Sequence, residues 1–144
     1  MKRLIAIFFG ILVFSCSSDS SNELAITSQN ILGKWYLKGG TVNNGTFENY
    51  QHDCVDKKDY QEFFNSGELL FNGFDVSCVL NDTETSNWNL SGNILTISNQ
   101  NFDPMVYQDI YTVEKLTSNE LILKQTTTEP EGTFVYRTTL TRIE

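Results

Sequence analysis

From residue 30 onward the chain alternates apolar and polar positions with a period of two, in short runs separated by clusters of Asn, Ser, Asp and Gly. Side chains of an extended strand point alternately to opposite faces, so this pattern predicts half-buried strands joined by turns. The first run, residues 30–42, opens Asn-Ile-Leu-Gly-Lys-Trp-Tyr. Gly33 lets the backbone pass close to a neighbour where the strand begins, and Trp35, two residues on, shares its face with a large apolar ring. Asn43-Asn44-Gly45 is a turn, and 46–58 reads as a long, polar, irregular connection. A hairpin follows, with strands 60–64 and 68–71 around Asn65-Ser66-Gly67. Strands 85–90 and 94–97 flank the turn Ser91-Gly92-Asn93, and 99–104 is a connection whose proline excludes it from a sheet interior. Three longer strands, 106–115, 120–126 and 133–142, complete the series.

About eight strands with no crossover helix predict an all-β fold, an antiparallel up-and-down barrel that closes to hide its edges. A barrel of that size is either filled by its own side chains or holds one small ligand. Ten Phe and six Tyr suffice for either outcome.

The first 15 residues have a different pattern. Lys2 and Arg3 precede an apolar run, residues 4–14, of 11 residues. A membrane-spanning helix needs about 20, so the run reads as the core of a signal peptide. Val13-Phe14-Ser15-Cys16 resembles the bacterial lipobox, although Phe14 departs from its commoner small or aliphatic residue. That resemblance implies a leader over 1–15, lipidation of Cys16 by acyl chains such as palmitate, a flexible Ser-rich tether over 16–29 and a folded domain over 30–144. Each methylene buried in the bilayer contributes about 0.8 kcal/mol, so several chains make a stable anchor. The expected location is the cell envelope, anchored in the outer membrane. The facing leaflet stays open, because only Asp19 is acidic just behind the cysteine.

Charge narrows the partners. The chain has 10 bases against 18 acids, and loss of Lys2 and Arg3 with the leader leaves eight bases and a net charge of −10. Such a surface repels phosphate backbones, which excludes nucleic acid as a partner.

With Cys16 assigned to lipid, Cys54 and Cys78 remain, each 12 residues from Ser66. In a regular hairpin centred there they face one another at a separation a disulfide accepts. The alternative is two separate buried thiols.

Catalytic chemistry has little support. The sole histidine, His52, adjoins Cys54, and no nucleophile motif surrounds any serine. His52, Asp53, Asp56 and Asp59 lack the glycine-turned spacing of a calcium loop and read as a solvated acidic loop. No dinucleotide fingerprint, phosphate loop or Cys-x-x-Cys occurs, so no cofactor, metal or catalytic residue is expected. Paired carboxylates assembled in three dimensions stay open.

Four landmarks resemble the small bacterial lipoproteins of the lipocalin-like type. They are Leu32-Gly33-Lys34-Trp35; Cys54 with Lys57-Lys58-Asp59-Tyr60, Phe63 and Gly67; Trp88-Asn-Leu-Ser-Gly-Asn-Ile-Leu-Thr-Ile97; and Leu116-Thr-Ser-Asn-Glu-Leu-Ile-Leu123. The resemblance implies an up-and-down barrel and, by analogy with lipocalins, a small apolar ligand. It also implies an arginine of the last strand over Trp35. Arg142 shares a face with Phe134, Tyr136 and Leu140, whereas Arg137 sides with Thr133, Thr139 and Thr141, so Gly33, Trp35 and Arg142 form the expected barrel floor. Tyr36, Phe71, Trp88, Tyr111 and Tyr136, with Trp35, are the expected ligand lining. A second reading is an envelope interaction or inhibitor protein with a filled barrel, whose protein partner is unknown, acting through Phe47, Tyr50 and His52 exposed together on the 46–58 loop.

Overall fold

The computed structural model of the chain describes residues 22–99 and 107–142; the expected leader, Cys16 and the greater part of the 99–104 connection lie outside the described residues. The elements are α1 (Ser28–Ile31), β1 (Gly33–Val42), β2 (Glu48–Asn49), β3 (Tyr60–Phe63), β4 (Glu68–Phe74), β5 (Leu80–Ser91), β6 (Ile94–Asn99), β7 (Tyr107–Leu116), β8 (Glu120–Glu129) and β9 (Gly132–Arg142). Every pairing is antiparallel, in the order β1-β3-β4-β5-β6-β7-β8-β9, and β9 returns to β1 from Trp35↔Arg142 to Val42↔Tyr136. Eight strands therefore close a barrel, and the two-residue β2 continues the line of β3 along β1 at Gly39 and Gly40.

Three expectations need correction. The first strand starts at Gly33, because residues 28–31 form a helical turn whose N-cap, Thr27, accepts a hydrogen bond from the Asn30 amide. The 46–58 connection is not wholly irregular, since it contains β2. The described part of the predicted tether is not free: Leu24 donates its amide to the Leu116 carbonyl at 2.8 Å, and Glu23 bridges Thr117. That segment crosses one end of the barrel.

Alternation and register decide what lies inside. Ile31, Trp35, Phe63, Leu69, Trp88, Leu95, Val113, Leu116, Leu121, Leu123 and Leu140 form one buried cluster. All sit toward the end of the barrel where β1 begins and β9 finishes, so that end is packed shut. Burying a large aliphatic or aromatic side chain contributes about 1.5 to 3 kcal/mol, and this plug supplies most of the fold's apolar burial. Higher up, the inward positions become polar: Gln61, Glu84, Ser86, Asn99, Asp109 and Gln125 occupy the registers that apolar residues hold below. Water on both faces of this stretch explains why β5 starts five residues before its alternation predicts, because residues 80–84 carry no apolar stripe.

Candidate functional site

The closed end is built around α1. Its last carbonyls have no helical partners and would be orphaned in a buried setting. Trp35 donates its indole Nε1–H to the Ile31 carbonyl at 2.7 Å, and Arg142 donates Nη1–H to the Leu32 carbonyl at 2.9 Å and Nη2–H to the Asn30 carbonyl at 2.5 Å. The guanidinium carbon lies 4.2 Å from the centre of the Trp35 ring. Gly33, at φ +105°, sits against the same guanidinium and is in a conformation L side chains rarely adopt. Gly33, Trp35 and Arg142 thus meet, and burial lowers the arginine from its ordinary pKa. The three form a structural plug, apart from any ligand.

The open end has two hollows. A cleft of about 520 Å³ lies between β1, β9 and the 45–50 loop, walled by Leu37, Val42, Tyr50, Tyr136 and Thr138. Its floor is the Gly39–Gly40 pair. A Cβ on Gly39 would collide with the Glu48 carbonyl, and one on Gly40 with the Arg137 carbonyl, so only glycine allows loop and strand to approach there. The second hollow, about 270 Å³, is the barrel interior on the opposite wall, among Gln61, Phe71, Glu84, Ser86, Asp109 and Tyr111. Burial, with the nearby Asp109 charge, pushes the Tyr111 phenol up to about 12, so it faces this hollow as a neutral donor.

The expected lining residues separate. Phe71 and Tyr111 border the interior hollow and Tyr136 the cleft. Trp88 belongs to the packed plug, edge-on to Phe63 at 5.3 Å with its Nε1–H donated to the Phe64 carbonyl. Tyr36 is corrected outright: it pairs with Tyr60 and Thr141 on the outer face, one residue out of phase with Trp35, and Lys58 Nζ lies 4.3 Å above its ring. Gly39, Gly40, Glu84 and Asp109 were not singled out from sequence. The glycine pair inside a strand pattern was a readable signal, and so was Asp109, in phase with Tyr111 and Val113.

The Cys54–Cys78 disulfide is present, with Cα atoms 4.9 Å apart. The hairpin register is centred on Ser66 as expected, but pairing between β3 and β4 stops at Tyr60↔Asn72. The bridge therefore ties two loops together at the open end. His52 and Asp59 correct the solvated-loop reading. Asp59, 5 % exposed, accepts from the Phe74 amide at 2.9 Å and the Tyr50 hydroxyl at 3.0 Å. His52 Nδ1 accepts from the Asp59 amide, so the proton sits on Nε2, which donates to the Leu37 carbonyl at 3.0 Å. Burial and the Asp59 hydrogen bond raise the Tyr50 pKa. Turned inward to Leu37, His52 does not join Phe47 and Tyr50 in an exposed trio.

Residues 31–123 match the family model of the lipocalin-like domain. Among solved structures, the chain is similar to a lipocalin-like protein from Bacteroides uniformis ATCC 8492, at 19 % identity and TM-score 0.56, over 79 % of this chain and 99 % of that one. An uncharacterized protein from Bacteroides eggerthii DSM 20697 is 13 % identical with TM-score 0.57, over 78 % and 98 %. Lobster apocrustacyanin A1 is 16 % identical with TM-score 0.51, over 80 % of this chain and 62 % of that one. No curated protein matches the sequence.

Proposed function

The chain belongs to the lipocalin-like domain family, and from that footing we propose that it is a lipid-anchored protein of the cell envelope that holds a small, largely apolar molecule at the open end of its barrel. The observation that carries the reading is the cleft of about 520 Å³ between β1, β9 and the 45–50 loop. Its volume falls in the range of about 300 to 1,000 Å³ typical of small-molecule sites, and Leu37, Val42, Tyr50 and Tyr136 give it an apolar wall with hydroxyls at the edge. The lipocalin-like fold is generally one of binding and transport, which supports this reading by analogy of fold.

The polypeptide enters the domain at the closed end, where Leu24 bonds Leu116. An acylated Cys16 would therefore tether the plugged end, and the mouth would face away from the bilayer. Cys16→Ser is expected to move the protein from the membrane fraction to the soluble fraction of its host; a serine variant that still sediments with membrane removes the anchor.

The cleft is tested with N-phenyl-1-naphthylamine, an apolar dye that brightens when it leaves water. Wild-type protein should enhance its emission, and Thr138→Trp, which fills the cleft from β9, should weaken dye binding about tenfold. A filled variant that binds the dye as well as wild type would exclude the cleft.

A further inference from the structure

The barrel sorts its charges by face. Eight bases follow the leader in sequence, and every one has a partner elsewhere than the interior hollow. Lys34 pairs with Glu62 at 3.6 Å, Lys38 with Glu120 at 3.7 Å, Lys115 with Glu120 at 2.9 Å, and Lys124 and Arg137 with Glu114 at 3.1 and 2.7 Å, all on the outer face. Lys57 donates to the Cys78 carbonyl, Lys58 lies over Tyr36, and Arg142 is spent on the floor. The connection 100–106 carries no base.

The inward registers hold the opposite sign. Gln61↔Phe71↔Glu84 runs in phase with Trp35, which turns Glu84 inward. Asp82 follows two residues earlier on the same face, and a Cβ on the inward Gly73 would lie 3.2 Å from it. Asp109 faces in from β7 beside Tyr111. Gln125 donates to one Asp109 oxygen at 3.1 Å, and the Glu84 carboxylate has no hydrogen bond or ion pair with any described residue. Glu84 and Asp109 are both exposed, so their field is strongest at the mouth of the hollow, where added salt screens it. Phe71 and Tyr111 add aromatic faces to the same hollow, which attract a cation through their ring quadrupoles.

From this geometry we propose a second ligand site, in the interior hollow, for a small organic cation: an ammonium head between Glu84 and Asp109, its apolar tail along Phe71 and Tyr111. The volume of about 270 Å³ limits the occupant to a small molecule. No residue is shared with the cleft on β1 and β9, so the site does not rest on the apolar-ligand reading and Thr138→Trp leaves it intact.

The test uses calorimetry on the full-length chain in neutral detergent with 2-phenylethylamine and its uncharged counterpart 2-phenylethanol. The amine should bind about tenfold more tightly than the alcohol, and that preference should shrink as salt is added. Glu84→Gln and Asp109→Asn should each reduce it, and together abolish it, with alcohol affinity unchanged. Asp53→Asn with Asp56→Asn, which removes two exposed charges from the loop outside the barrel, should leave it as in wild type. The proposal is overturned if the amine fails to bind, if the alcohol binds equally well, if the preference survives the double substitution, or if the loop variant erodes it as much. Glu84 is exposed and unbonded, so its single variant retains the fold and reads the site even if the Asp109 variant unfolds.

Discussion

Arg142→Ala is expected to destabilise the barrel by about 3 kcal/mol, read as a lower urea midpoint with an unchanged slope and followed by tryptophan emission. Arg142 donates to two carbonyls of the N-terminal turn, whose Ile31 is buried, and stacks on the indole of Trp35. A hydrogen bond from a charged donor contributes about 1.5 to 3 kcal/mol, and stacking of a cation on an indole about 0.5 to 2. Against these stands the cost of burying the guanidinium, whose Nε has no partner among the described residues. The net loss is then smaller than the sum, yet large against the 5 to 15 kcal/mol of a typical domain. Arg142→Lys should recover less than half of it, since an ammonium is a point charge that cannot fork to both carbonyls while lying flat on the ring. A midpoint unchanged in the alanine variant would mean that the floor is held by apolar packing alone.

The floor was legible in the sequence and the mouth was not, for a physical reason. At the closed end one face of every strand is apolar and the other polar, so the period-two pattern placed β3, β6, β7 and β9 to within a few residues, and parity chose Arg142 over Arg137. Along β5 at the open end both faces are polar. The first five residues of β5, 80–84, have no alternation and fell outside the predicted strand, and Glu84 with them. Tyr36 shows the converse error: aromatic character suggested a lining, although adjacency to the inward Trp35 already put it on the outer face. Asp59 and His52 looked like solvated charge because local composition does not reveal a hydrogen bond to an amide 15 residues away, as Asp59 makes to Phe74. The outer cations did not announce the inner carboxylates either. That sorting exists only once register assigns each residue a face, and it turns an acidic composition from a statement about solubility into one about the barrel's contents.

The disulfide should prove to act chiefly on the unfolded chain. Its cysteines are 24 residues apart, and the chain-entropy relation gives about 3.5 kcal/mol for a closed loop of that size. In the folded protein the same loops have other ties: Asp59 joins Phe74 and Tyr50, His52 joins Leu37, and Asp75 Oδ1 accepts from the Ser77 and Val79 amides. Cys54→Ser with Cys78→Ser should therefore lower the urea midpoint by the equivalent of about 3 kcal/mol while circular dichroism of the folded form stays as in wild type. Cys78 adds a sharper discriminator, because its φ of +61° is strained for any residue with a Cβ. Glycine in its place removes that strain, worth about 1 to 2 kcal/mol, but widens the unfolded ensemble by about 0.4 to 1. Cys54→Ser with Cys78→Gly should on balance be more stable than the double serine variant. If the bridge instead mainly holds the native loops, loss of the cysteines would expose the Asp59 and Phe74 amides to exchange without urea, and the glycine variant, having the freer loop, would be the less stable of the two.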